Sequence, residues 1–177
     1  MAQRRHYRRA RPQGRRSNQD LLWVPNSIAV TVSEAVQSDV VLLTPGDWQV
    51  GLTQSFERCT LLRIVGWLIT VQTAAGTDAN FSALYMAIWK GGLLDVFDPT
   101  LIGDYDDHDI LWTAGTNIGS SATQSINAPK WPGFIDIRTK RKVDSSEEVI
   151  LSGHINTDTA TPAATMVGVL RCLVNRA

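Results

Sequence analysis

Ser27-Ile28-Ala29-Val30-Thr31-Val32-Ser33 alternates without a break. Ile28, Val30 and Val32 fall on one side, and Ala29, Thr31 and Ser33 on the other. A period of two is that of a half-buried β-strand. The same period recurs in Phe134 to Thr139, where Ile135 and Ile137 turn inward and Asp136 and Arg138 outward. Ser82 to Lys90, Glu148 to Ile155 and Ala164 to Val174 read the same way. Asp39 to Thr44 is a shorter strand closed by the turn Pro45-Gly46-Asp47, and Trp48 to Thr53 is a further short candidate. Leu61 to Thr73 is the longest run, apolar on both faces except at Arg63.

Helical spacing is confined to short windows, with candidates at Ser33 to Gln37, Gln54 to Cys59 and Leu94 to Leu101. Thr113 to Pro132, rich in Ser, Thr, Asn, Gly and Ala, reads as one long irregular segment. Short strands punctuated by Gly and Pro turns predict an all-β antiparallel sandwich or barrel. A two-sheet sandwich covers only one face of each sheet. Runs that are apolar on both faces therefore need long loops or neighbouring subunits over the outer faces.

The chain has 177 residues, 44% apolar and 19% charged, a globular composition. The longest uncharged apolar run, Ile64 to Val71, is eight residues. A spanning helix needs ~20, so no transmembrane segment and no membrane partner are expected. No apolar h-region follows the N-terminus, so no secretory signal is read. Cys59 and Cys172 match no metal or redox spacing. The six tryptophans are read as core and interface packing, with ligand stacking as the lesser alternative.

The net charge of zero conceals a division. Residues 1–16 hold seven arginines, Arg4, Arg5, Arg8, Arg9, Arg11, Arg15 and Arg16, and no acid. The remainder holds ten Lys or Arg against seventeen Asp or Glu. Residues 1–20 thus read as a basic arm and 21–177 as an acidic folded domain. The arm has little to bury, its like charges repel, and Pro12 and Gly14 interrupt any helix. It is expected to be mobile and to pair its arginines with the phosphates of single-stranded nucleic acid. With all seven engaged, log K against log salt has a slope of roughly −5. The same residues suit recognition by nuclear import machinery. A transit peptide would need an apolar helical face that these residues lack.

Two clusters in the body carry candidate chemistry. Arg138, Lys140, Arg141 and Lys142 sit at the end of a strand before the acidic turn Asp144 to Glu148. They fit either nucleic-acid contact or a solvated hairpin tip. Asp104, Asp106, Asp107 and Asp109 place hard carboxylates close together, a candidate calcium site, although the EF-hand position twelve is Gly115 rather than Glu. The alternative is an ordinary acidic loop. Apart from calcium no cofactor is expected. No G-x-S-x-G, P-loop, H-E-x-x-H or C-x-x-C occurs, so no catalytic residue is assigned and no enzyme is expected.

Three stretches carry a family likeness: the arm Arg4 to Arg16, Asp106-Asp107-His108-Asp109-Ile110-Leu111-Trp112, and Ile135-Asp136-Ile137-Arg138-Thr139-Lys140-Arg141-Lys142-Val143. With the strand order they resemble the jelly-roll capsid proteins of small circular single-stranded DNA viruses that encode a replication initiator. The resemblance implies an eight-stranded antiparallel jelly-roll sandwich behind a disordered arm. It implies a T=1 icosahedral shell of sixty copies, packaging single-stranded DNA through the arm. The virion is then its location, with the host nucleus, import machinery and a receptor as further partners. Seven arginines in ~60 copies supply ~420 charges, so small cations would neutralise most of a genome.

Other classes share these features. The capsid of a small satellite RNA virus would carry the same arm and fold, because arginine does not read the sugar. A cellular nucleic-acid-binding β-barrel would present exposed aromatics and basic residues on one sheet face. The acidic body weighs against that reading. A trimeric or glycan-binding jelly roll would leave the arm incidental.

Overall fold

In the computed structural model the strands pair in nested order, all antiparallel. β1 (Leu21–Ser33) pairs with β8 (Ala163–Arg176), and β2 (Ser38–Leu43) with β7 (Glu147–Asn156). β3 (Arg58–Ala74) pairs with β6 (Pro132–Asp144), and β4 (Ser82–Gly92) with β5 (Asp109–Ile118). First meets last, second meets second-last: one long hairpin rolled onto itself. Pairing of β3 with β8 and of β4 with β7 completes two four-stranded sheets, ordered β1-β8-β3-β6 and β2-β7-β4-β5. This is the antiparallel sandwich that the strand pattern predicts, in the eight-stranded jelly-roll form that the family resemblance implies. The structure describes residues 21–33, 38–45, 58–74, 82–99, 101, 103–118, 132–156 and 163–176. No helix among them is long and apolar enough to cross a membrane.

The inner faces meet in one core. Ile28 and Val32 of β1, Ile64 and Leu68 of β3 and Met166 and Leu170 of β8 pack toward Leu84, Met86 and Ile88 of β4 and Leu151 and Ile155 of β7. Leu61 and Ile64 are both buried although three residues apart. The register of β3 slips between Leu61 and Arg63 against both neighbouring strands, which resets the alternation. That slip turns Leu61 inward and Arg63 outward on the same strand.

The outer faces of the two sheets have different fates. On the second sheet, Ala87, Trp89 and Ile150 form a smaller cluster under Phe97, with Trp89 fully buried. Phe97, Tyr105 and His108, from the connection between β4 and β5, cover it. His108 meets the Trp89 ring edge-on at 5.1 Å and Tyr105 meets Phe97 at the same distance. The cover is fastened by Tyr105 Oη–H donating to the Pro99 carbonyl (2.9 Å) and by His154 Nδ1 against Asp98 Oδ1 (2.9 Å). Beneath it, Trp89 Nε1–H donates to Ser152 Oγ (2.8 Å), which in turn donates to Asp39. A loop of the chain itself thus supplies one of the two expected coverings. On the first sheet's outer face Trp67, Phe134, Val167 and Val169 are exposed.

Several expectations change. Asp109–Ile118 is a strand and β6 begins at Pro132, so both ends of the expected Thr113 to Pro132 irregular segment are strand, and residues 119–131 lie outside the described residues. The Leu111-Trp112 pair of β5 breaks a simple alternation because the register with β4 shifts there, and both side chains reach the core. β6 continues through Asp144, so the basic run lies within a strand. The Ser145-Ser146 turn is a corner between sheets rather than a hairpin tip, since β6 and β7 belong to different sheets. Leu94 to Leu101 is a turn followed by irregular chain, and Ser33, Arg58 and Cys59 are in strands. The one α-helical turn among the described residues is α1 (Asp104–Asp107). Residues 34–37 and 54–57 and the Trp48 to Thr53 candidate lie outside the described residues.

Candidate nucleic-acid interface

The outward positions of β1-β8-β3-β6 form rows across the sheet, set by strand register. Leu21, Asn175, Thr60 and Lys142 make one row. Further along come Trp23, Leu173, Arg63 and Arg138, and then Pro25, Arg171, Val65 and Asp136. Beyond them lie Ser27, Val169, Trp67 and Phe134, followed by Ala29, Val167, Ile69 and Pro132. The face is therefore basic at the end where β1 begins and apolar at the other.

Arg58, Arg63, Arg138, Lys140, Lys142 and Arg171 all stand on this face, six of the ten basic residues that follow the arm. The acids among its described residues are Asp136 and Asp144. Both have arginine partners. Arg63 makes a bidentate pair with Asp136, Nε to Oδ1 and Nη2 to Oδ2 both at 2.7 Å. Hydrogen bonds from Arg63 hold the Asp136 carboxyl below its usual range, with the charges of Arg63 and Arg138 adding to the effect. Arg58 approaches Asp144 at 3.9 Å. Arg138, Lys140, Lys142 and Arg171 enter no ion pair among the described residues. Within an acidic body this concentrates positive charge on one surface, which favours a polyanion there.

Of the sequence candidates, Arg138, Lys140 and Lys142 come together on this face. Arg141 does not. Alternation turns it the other way, where its Nε lies 3.0 Å from Asp109 Oδ1 on the edge strand of the second sheet. The pair clasps the two sheets. It also occupies one carboxylate of the acidic cluster. Asp104 Oδ2 accepts from the Asp98 backbone N–H (2.9 Å) and Asp106 is exposed. The Asp107 side chain is outside the described set. No group of three His, Cys, Asp or Glu that could hold a metal occurs among the described residues. The arm residues Arg4, Arg5, Arg8, Arg9, Arg11, Arg15 and Arg16 lie outside the described residues.

Sequence reading missed Arg63 and Arg171 as members of the basic face, and Trp67 and Phe134 as its exposed aromatics. The two rings are cross-strand partners with centroids 5.5 Å apart and planes tilted by 59°. Trp67 is 61% exposed and Phe134 55%. The available signal was the outward alternation Arg63-Val65-Trp67-Ile69, read together with Phe134-Asp136-Arg138.

The fold and this surface define an all-β jelly-roll protein with one basic, aromatic sheet face. A solved structure of desmodium yellow mottle tymovirus is similar, with 9% identity over 89% of this chain and 88% of that one and a TM-score of 0.35. A structure of infectious bursal disease virus Gx strain is 9% identical over 88% of this chain and 31% of that one, with a TM-score of 0.31. No protein-family model matches the chain. No curated protein matches it in sequence.

Proposed function

We propose that the protein is the capsid subunit of a small icosahedral virus, a structural and non-catalytic role. Copies of the jelly-roll body pack side by side, and the arginine-rich arm holds single-stranded nucleic acid inside the shell. The observation that carries the reading is positional. β1 begins at Leu21 in the same row as Lys142, so the seven-arginine segment joins the body at the basic end of the sheet. Arm and sheet then present cations to one side, and the acids lie mostly elsewhere. In its finer form the reading has sixty subunits and a single-stranded DNA genome, with the arm serving first in nuclear import. A single-stranded RNA genome uses the same contacts, since phosphate pairing does not distinguish the sugars.

Negative-stain microscopy of the purified full chain, with the 260/280 absorbance ratio, tests this. Uniform small spheres with a raised ratio are the expected result. Deleting residues 1–16 should then give spheres that have lost nucleic acid. A stable monomer at every salt and calcium concentration would sink the capsid reading. A second reading, a nucleic-acid-binding β-sandwich that does not assemble, is favoured by the basic and aromatic residues sharing one face. It predicts that monomer, with binding that survives removal of the arm.

A further inference from the structure

The apolar half of the first sheet's outer face is not explained by an arm that binds phosphates. An aromatic side chain carries ~150–250 Å² of surface. Trp67 and Phe134 are each more than half exposed, with Val167 and Val169 beside them at two-fifths or more. The patch is thus on the order of a few hundred Å², the size at which apolar surface marks an interaction site. Its neighbours decide what fits. Successive outward rows are ~7 Å apart along a strand. Arg171 therefore stands one row from Trp67, and Arg138 two rows from Phe134 on its own strand. An aromatic surface beside a row of cations is the arrangement that receives a single strand, bases on the rings and phosphates on the basic side chains.

We infer that this face is a base-stacking platform for single-stranded nucleic acid, with Trp67 and Phe134 as the stacking rings and Arg138, Arg171, Lys140 and Lys142 along the backbone. The inference deepens the nucleic-acid reading above and adds a second contact to the arm. A second copy of the chain fits less well. Packing the face against another body would desolvate cations that have no ion-pair partner among the described residues. Packing it against itself would bring two cationic surfaces together. Burial of Lys in the core of a protein interface is also disfavoured.

The test uses the full chain and three labelled strands of ~16 nucleotides, oligo-dT, oligo-U and an abasic strand of equal charge. The expected result is tighter binding of both base-bearing strands than of the abasic one, with quenching of tryptophan fluorescence by the former alone. Trp67→Ala with Phe134→Ala should weaken binding of oligo-dT and oligo-U about tenfold or more and leave the abasic strand unchanged. Trp67→Phe with Phe134→Tyr, which keeps two rings, should retain the preference. Equal binding of oligo-dT and the abasic strand by the wild-type chain would overturn the inference whatever the variants do. So would a double alanine variant that keeps the preference but sediments differently, a result that would make the face a contact between copies. Particle formation is scored separately. Base preference without particles keeps the platform and sinks the capsid, and particles without base preference do the reverse.

Discussion

Gly66 and Gly168 face one another diagonally across β3 and β8, on either side of the Trp67–Val169 pair. A Cβ at Gly66 would stand 2.0 Å from the Val169 carbonyl oxygen, and one at Gly168 would stand 2.1 Å from the Trp67 carbonyl oxygen. Both obstacles are backbone, so no side chain can swing away to make room. The two central strands of the first sheet approach closely here because neither position carries a side chain. Gly66→Ala or Gly168→Ala should each lower the unfolding free energy by ~2–3 kcal/mol. Gly103→Ala, with nothing within 4 Å of the added carbon, should not. Urea midpoints at unchanged slope check both.

The cover over the second sheet depends on one ring and one hydroxyl. Phe97 is fully buried against Trp89, with ring centroids 5.5 Å apart. Phe97→Ala should cost ~3–5 kcal/mol. Ser152→Ala removes the acceptor of the buried Trp89 N–H and should cost ~1–3 kcal/mol. Thermal melting followed by near-ultraviolet circular dichroism reports both, since Trp89 dominates the packed aromatic cluster.

Acid should weaken the fold through two carboxylates. Partial burial pushes Glu147 up. The Lys90 ammonium at 2.7 Å, the Asp144 backbone N–H and the Lys90 charge outweigh it, and Glu147 sits below its ordinary 4.5. Asp136 sits below its ordinary 3.8 beside Arg63. A lowered folded pKa adds stability that is fully present above the unfolded value and is lost as pH falls through the folded one. Melting temperature should therefore drop as pH falls below about 4.5, and Glu147→Gln should flatten the upper part of that drop.

Neither thiol should react in the folded protein. Burial, with the Asp144 charge, pushes Cys59 up to about 11, and burial, with Cys59 nearby, pushes Cys172 up to about 12. Since the thiolate is the nucleophile, maleimide at pH 8 should label no cysteine until denaturant is added, and then two.

Arg141 and Lys142 adjoin in sequence and should separate in function. Lys142→Ala or Arg138→Ala should each make the salt dependence of oligonucleotide binding shallower by ~0.7. Arg141→Ala should leave that slope unchanged and lower stability by up to ~1 kcal/mol, because it breaks a partly exposed pair with Asp109. Equal slopes for all three variants would contradict the division of the run by alternation.

The strands most legible in the sequence were those with one apolar and one polar side, such as Ile28-Val30-Val32 and Ile135-Ile137. β5 was not, because a register shift places Leu111 and Trp112 on the core together and Gly115 and Asn117 read as loop. The basic run was visible, but its division was not, since the role of Arg141 depends on an edge strand contributed by Asp109. Alternation could place Trp67 and Phe134 each on the outward side of its own strand, but their pairing left no local signal. The residues are 67 positions apart in sequence, and only the β3–β6 register brings them side by side.

One tryptophan lies under Phe97 and His108 with no exposed surface, and another stands uncovered on the opposite sheet. If the exposed face is the proposed stacking platform, stability and recognition belong to different surfaces of the molecule. In a saturation mutagenesis screen the two phenotypes should map to separate sets of positions. Changes at Ala87, Trp89, Phe97 and Ile150 should appear as loss of folded protein. Changes at Trp67, Phe134, Arg138 and Arg171 should pass a folding selection and fail only one for ligand. A chain organised in this way can change its ligand surface residue by residue while its core sequence stays in place.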